Sequence, residues 1–322
     1  MPKHIKGTKI LLTGGAGFIG SNLAELLLKR GAEVTVYDNM SSGRYEFIKH
    51  LRTFKGFAFM KGDVLDTRKL DLAMHGEGYN AVAHLSANPD VALGTKNTRL
   101  DLEQGTVGTY NVLEAARKND VHDILFASSS VVYGMAKVLP TPEGYGPLAP
   151  ISLYGASKLA SEGLITSFSH LFGMDYYIYR FANVVGRHST HGVMIDFIKK
   201  LKRNPKALEV LGNGLQRKSY IDVEDCVSAM AFVYEKSGQQ GNIYNLATDD
   251  QMKVDDIAGL VIRRFASGAR IKHTGGAQGW PGDVPNAFLS NRKLKAMGFR
   301  LAFKRSADAV GNFINGLPEG NQ

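Results

Sequence analysis

Lys9-Ile-Leu-Leu-Thr-Gly-Gly-Ala-Gly-Phe-Ile-Gly20 runs from an apolar stretch straight into spaced glycines, and its reading decides the fold. Lys9–Thr13 reads as a buried strand, and Gly17–Arg30 as a helix closed by Gly31. The turn between them satisfies Gly-x-Gly-x-x-Gly through Gly15, Gly17 and Gly20, and Gly-x-x-Gly-x-x-Gly through Gly14, Gly17 and Gly20. Bare glycine backbone permits the tight turn. It also lets the N–H groups of the helix start, around Gly17, Phe18 and Ile19, meet a pyrophosphate. A glycine pattern alone would be weak, but Asp38 ends the next strand, Glu33–Asp38, 18 residues past Gly20 (38 − 20). A carboxylate there accepts from ribose hydroxyls and repels a 2′-phosphate, which favours NAD over NADP. Asp63 and Val64, after the third strand, are placed to flank the adenine, although a turn Asp reads equally well.

Outward from this turn the rhythm continues. Phe57–Met60, Ala81–Leu85, Ile124–Ser128 and Tyr176–Tyr179 read as further strands, with helices over Leu102–Lys118 and Ser157–Phe172. That alternation predicts an α/β, Rossmann-type doubly wound parallel sheet. Past residue 185, glycine-rich and polar stretches alternate with shorter helical segments, so a smaller interleaved α/β unit is expected. The expected division is 1–182 for the dinucleotide-binding domain, with 219–247 returning to it. Residues 183–218 and 248–322 would form the smaller unit.

Of 322 residues, 44% are hydrophobic and 21% charged, as in a globular chain with a sizeable core. The single cysteine, Cys226, excludes an internal disulfide and a cysteine-based metal cluster, so no metal is expected and a reducing cytoplasm fits. Neither a leader nor an apolar run of membrane-spanning length is read, so no membrane partner is expected. The net charge of +9 is largely scattered, with clusters at Lys199–Arg203 and Arg217-Lys218. Without aromatic interleaving or a known module these do not read as a nucleic-acid surface. An anionic small-molecule substrate accounts for Arg217-Lys218 more economically.

Three Tyr-x-x-x-Lys spacings occur, at Tyr45/Lys49, Tyr133/Lys137 and Tyr154/Lys158. On a helix this spacing puts phenol and ammonium on one face, and the ammonium is expected to lower the phenol's pKa from its usual ~10. Tyr45 lies too near Asp38, and Tyr133 falls in a strand-exit turn. Tyr154 opens an amphipathic segment and follows Ser129 by 25 residues (154 − 129), so a strand-end hydroxyl can converge with it at the carboxyl edge of the sheet.

Gly14-x-x-Gly17-x-x-Gly20, Asp38-Asn-Met-Ser-Ser-Gly-Arg44, Ser129 and Tyr154-x-x-x-Lys158 together resemble the extended short-chain dehydrogenase/reductase family, in its nucleotide-sugar epimerase branch. Arg180-Phe-Ala-Asn183, Gly212-Asn-Gly214, Tyr220-Ile-Asp222 and Pro281-Gly-Asp-Val-Pro285 extend the resemblance to about Phe313, with UDP-glucose 4-epimerases the most similar subgroup. The resemblance implies that Asn39, Ser42 and Gly43 join Asp38 around the adenosine, and that Leu85, Ser86 and Ala87 line the nicotinamide pocket. It implies that Tyr154 takes the proton of the sugar 4-hydroxyl while NAD accepts hydride at C4. Lys158 would hold the nicotinamide ribose, with Ser129, assisted by Ser130, bonding the same sugar oxygen. Asn183, Arg217 and Lys218 would meet a UDP diphosphate, and Asp283 the uridine ribose. A homodimer through the helices Leu102–Lys118 and Ser157–Phe172 is implied as well.

Sugar 4,6-dehydratases of this branch carry Asp-Glu where this chain has Ser130-Val131, so dehydration lacks its acid and base. Epimerisation at C2 or C5, decarboxylation, a GDP-sugar substrate and a non-catalytic dinucleotide sensor stay open as alternatives. The chain departs from the subgroup at Asn88-Pro89-Asp90, where a Lys is usual, at Gly105 (usually Asn), at Lys218 (usually Arg), and at Trp280 (usually Arg). Asn88 is therefore placed on the substrate side. Ala287 stands where strict UDP-glucose enzymes carry Tyr, which predicts room for a 2-N-acetyl group.

Overall fold

The computed structural model describes residues 3–237 and 241–318. The ends of the two expected units at 1–2 and 319–322, and 238–240 inside the returning segment, lie outside the described residues. Six strands, β1 (Lys9–Thr13), β2 (Glu33–Asp38), β3 (Phe57–Lys61), β4 (Ala81–His84), β5 (Asp123–Ser129) and β6 (Asp175–Phe181), and the strand Asn242–Leu246 form one sheet. Its order is Asn242–Leu246, β6, β5, β4, β1, β2, β3, and every pairing is parallel. The inner runs are apolar throughout because helices cover both faces of a parallel sheet, leaving β4 wholly buried. From β1 the chain first winds toward β3, then crosses back to β4 and winds the other way. The reversal opens a crevice beyond the carboxyl ends of β1 and β4, where such sheets take ligands.

The expected doubly wound fold is the observed one. A helix over Phe18–Lys29 follows the glycine turn, and the helix Val223–Lys236 packs against it from the second half of the chain. Beyond the sheet, Met194, Phe197, Leu208, Ile257 and Phe313 belong to a separate apolar cluster built only from residues past 184. A three-stranded patch there joins Met252–Lys253, Arg217–Lys218 and Asn286–Ala287.

Two helices differ from the sequence reading. The Tyr154 helix begins earlier, at Leu153, because the Ser152 hydroxyl caps it by accepting from Gly155 N at 3.1 Å. The expected helix over 102–118 is interrupted: Thr98–Asp101 is α-helical, Leu102–Val107 is a π turn, and the α-helix resumes at Gly108. The widened turn aims the Gly105 carbonyl at two hydroxyls, Thr109 Oγ1 at 2.6 Å and Ser161 Oγ at 3.3 Å. It also brings the backbone so close to the Tyr154 helix that a Cβ on Gly105 would stand 2.5 Å from Ser157 Oγ. The Asn usual at Gly105 would not fit beside Ser157.

Candidate active site

The crevice is a cleft of about 1060 Å³, reckoned out to open solvent, running from Asp38 to Tyr154 and Lys158. Its floor is glycine backbone for a steric reason. Gly14 has φ 69°, and a Cβ there would lie 2.7 Å from Ser86 N; a Cβ on Gly20 would lie 2.2 Å from the Gly14 carbonyl. Gly17, Phe18 and Ile19 complete this wall. Asp38 is held by two backbone donors, Ala16 N at 3.0 Å and Met40 N at 2.8 Å. Burial pushes its pKa up and these two bonds pull it down. Asn39 reaches across to Asp63 at 2.8 Å, and with Ser42 and Val64 these residues wall the same end. Gly43 is not on that wall; it lies behind Asp38, where a Cβ would come within 2.8 Å of Oδ1. Leu85, Ser86, Ala87 and Asn88 carry the wall toward Tyr154. A cradle that only glycine can line, ending in a fixed carboxylate, fits a dinucleotide with free ribose hydroxyls.

At the inner end, Tyr154 and Lys158 both face the cleft. Lys158 Nζ donates to the Ala127 carbonyl at 2.7 Å, and stands 4.7 Å from the Phe126 ring centre and 5.7 Å from that of Tyr154. Burial pulls the Lys158 ammonium down to about 8, against the opposing charges of Glu162 and Asp101. For Tyr154 the sequence expectation is reversed. Burial, reinforced by Asp101, pushes the phenol well above its ordinary range. The reason is geometric: the ammonium is engaged by Ala127, so Lys158 alone does not offset the cost of a buried phenolate.

The depressed Lys158 pKa has a consequence for stability. An unfolded lysine keeps its proton to a higher pH, so this group opposes folding fully below pH 8, and the penalty fades between 8 and the unfolded value near 10.5. Lys158→Met is therefore expected to stabilise the fold by about 1–3 kcal/mol at pH 7. Equilibrium denaturation at pH 7 and 9.5 checks this, and the gain should shrink at the higher pH.

Ser129 and Ser130 do not reach the cleft wall among the described residues. Ser129 Oγ caps the following turn, accepting from Val131 N at 3.4 Å. Its neighbour Ser128 does line the cleft, and donates to Glu162 at 2.5 Å. Glu162 is doubly engaged by Arg180, with Nε at 3.0 Å and Nη2 at 2.7 Å, and both side chains are buried. The sequence reading passed over Glu162 and Ser128, and treated Arg180 only as part of a motif. Glu162 stands four residues after Lys158, a spacing that reads as an ordinary surface ion pair. Gln104, Thr190 and His191 also line the cleft and were missed, since loops and a π turn carry no periodic signal.

Neither tyrosine of the other two Tyr/Lys spacings lines the cleft. Tyr45 is exposed and accepts from Arg52 at 3.0 Å; Tyr133 is buried and donates to Asn245 at 2.8 Å.

Arg217 and Lys218 occupy neighbouring positions of one strand, so they point to opposite faces. Arg217 is exposed, whereas Lys218 is ion-paired with Asp283, which Gly279 N also holds at 3.1 Å. Ala287 pairs with Lys218 in register. Asn183 donates to the Ser219 carbonyl at 3.3 Å, at the start of the strand beside Tyr220–Asp222. These residues gather beyond the cleft rather than in its wall.

Among the described residues no cluster could hold a metal ion, and no helix is long and apolar enough to cross a membrane. Residues 10–247 match the NAD dependent epimerase/dehydratase family. A putative UDP-glucose 4-epimerase of Methanocaldococcus jannaschii is 30% identical over 303 residues, 90% of this chain and 92% of its own length. The crystal structure of a UDP-galactose 4-epimerase superposes with TM-score 0.84 at 40% identity, covering 95% of this chain and 97% of that one. The UDP-glucose 4-epimerase of Thermus thermophilus, solved with NAD, superposes with TM-score 0.84 at 29% identity, covering 96% and 99%. The chain belongs to the NAD dependent epimerase/dehydratase family.

Proposed function

We propose that the protein interconverts UDP-sugars at C4, by transient oxidation to a 4-keto sugar. The observation that carries this reading is the pair of half-buried Tyr154 and buried Lys158 at the inner end of a dinucleotide cleft, with Ser130-Val131 where dehydration would need an acid and a base. NAD, when bound, supplies the hydride acceptor and donor at the sugar carbon. Tyr154 takes the 4-hydroxyl proton and gives it back. Lys158 lends its ammonium to the phenolate; one of its three N–H donors holds the Ala127 carbonyl, which leaves two to meet the phenolate and a ribose. The positive charge of a nicotinamide ring beside the pair would offset the burial that holds the Tyr154 phenol neutral. Ser128 or Ser129, both at the end of β5, steadies the sugar oxygen. Since hydride is returned, the reaction has no net redox change.

Similarity to UDP-glucose and UDP-galactose 4-epimerases supports a uridine nucleotide. Asn183, Lys218 and Asp283 are assigned to the nucleotide, with the Lys218–Asp283 pair opening to divide between diphosphate and ribose, while Arg217 points to the other face of its strand. The test is NMR of UDP-glucose and UDP-galactose incubated separately with enzyme and NAD. Both should approach one mixture without accumulating NADH; no interconversion from either side would sink the proposal.

Ala287, in register with Lys218, is a small side chain where strict UDP-glucose enzymes carry a Tyr, and is read as leaving room beside the sugar. UDP-GlcNAc should therefore turn over alongside UDP-glucose. Ala287→Tyr is expected to lower the N-acetyl to plain turnover ratio by about 10-fold or more, a few methylene-equivalents of lost fit. An unchanged ratio in competition assays would refute it.

A further inference from the structure

Asp101 lies near the catalytic pair, and no part of the proposed chemistry gives it work. It is 1% exposed, at the end of the short helix before the π turn. Its Oδ1 accepts from Asn88 Nδ2 at 3.0 Å, and the same amide donates to the Asp90 carbonyl at 2.7 Å. Its Oδ2 is buried with no hydrogen-bond partner among the described residues. A buried carboxylate oxygen left unpaired is costly unless a nearby cation compensates its charge. The space is built around it, against the start of the Tyr154 helix: a Cβ on Gly94 would fall 2.2 Å from Oδ2 and 3.9 Å from Leu153 Cβ. Asp101 does not line the cleft, so it does not touch substrate.

We propose that Asp101 is a positioning residue for the Tyr154–Lys158 pair, its fixed negative charge keeping the buried Lys158 side chain in the ammonium form. The inference rests on the reading of Tyr154 and Lys158 as the proton-handling pair. The charged and titratable neighbours sort themselves in its favour. On the Tyr154 helix, Lys158 faces both Asp101 and Glu162, but Glu162 is already matched by Arg180 from β6. His84 of β4 stands near Lys158 and is held neutral, pulled down to about 3 first by burial and then by Lys158. Burial, and to a lesser degree Asp90, pushes the Asp101 carboxyl up from its ordinary value, while the Asn88 bond and the Lys158 charge favour its ionised form. Glu162 and then Asp101 both hold the Lys158 proton; Glu162 shares its charge with Arg180, whereas Asp101 is bonded only by the neutral Asn88 amide. The same charge raises Tyr154, so it sets the pH window of both groups together.

The test does not require turnover. In protein labelled with 13Cε-lysine and free of NAD, the Lys158 resonance, assigned by its loss in Lys158→Met, should titrate near pH 8. Asp101→Asn should move that midpoint down by about one pH unit, as loss of a nearby opposite charge does. Asp101→Leu, which removes the unpaired oxygen with the charge, should do the same and guards against a misfolded Asn variant. In the active enzyme both limbs of the pH–rate profile should shift to lower pH together, since the phenolate and the ammonium each titrate earlier. A purely structural Asp101 would lower the amplitude or the melting temperature and leave the limbs in place. A Lys158 midpoint unmoved in both variants overturns the proposal, whichever sugar the enzyme uses. Absence of UDP-sugar turnover by wild-type protein would fail the functional reading instead.

Discussion

Tyr154→Phe is expected to cut turnover by about 10²–10⁴-fold, the range general acid–base catalysis supplies, with UDP affinity and thermal stability close to wild type. The phenol hydroxyl is the atom removed, and the ring that packs beside Lys158 stays. Binding should survive because the residues assigned to the nucleotide lie elsewhere, around Lys218 and Asp283. The matched controls are the two tyrosines that share the same sequence spacing. Tyr133→Phe should lose about 1 kcal/mol of stability with its buried bond to Asn245, and little turnover. Tyr45→Phe should change neither, since its hydroxyl only accepts from Arg52 on the surface. Single-turnover kinetics together with calorimetric UDP binding separates the three. A loss in Tyr154→Phe smaller than 10-fold would remove Tyr154 from the chemistry.

That contrast also marks what the sequence could convey. The glycine turn and Asp38 were legible because each is a steric or electrostatic requirement written in one residue type at one spacing. Six strands of the sheet were legible because parallel strands buried on both faces tend to be apolar throughout; the seventh, the edge strand Asn242–Leu246, was not read as one. Choosing Tyr154 over its rivals was legible from the elements around each. The protonation state of Tyr154 was not. It depends on where a flexible lysine puts its ammonium, and on Asp101, which is 53 residues away (154 − 101) and sits in an element whose π turn has no sequence period. Gly105 illustrates the limit: as a missing contact it was only a departure, but against Ser157 it is a packing necessity. Arg217-Lys218 shows the opposite failure, since two adjacent cations read as one patch yet a strand sends them to opposite faces.

Arg180→Leu is the substitution with the largest expected cost to the fold, about 3–5 kcal/mol, because it strands the buried Glu162 carboxylate. Glu162 would retain only the Ser128 hydroxyl, and the Glu143 carbonyl would lose its bond from Arg180 Nη1. Removing both charges in Glu162→Leu/Arg180→Leu should recover most of that stability, since apolar replacement of a whole buried pair is often close to neutral. Ser128, left without its acceptor, keeps the recovery short of complete. Urea denaturation of the four proteins in this cycle gives the coupling directly; additive losses would show that the pair is not a unit. The catalytic consequence runs the other way. In Arg180→Leu the unmatched Glu162 charge adds to that of Asp101, so Lys158 should hold its proton to a pH above 8 wherever the variant remains folded. In the double variant Asp101 is again the unmatched carboxylate, and the Lys158 midpoint should return toward the wild-type value. On this expectation Arg180 acts on the pair without touching it, by damping the Glu162 charge that, with Asp101, holds the Lys158 proton.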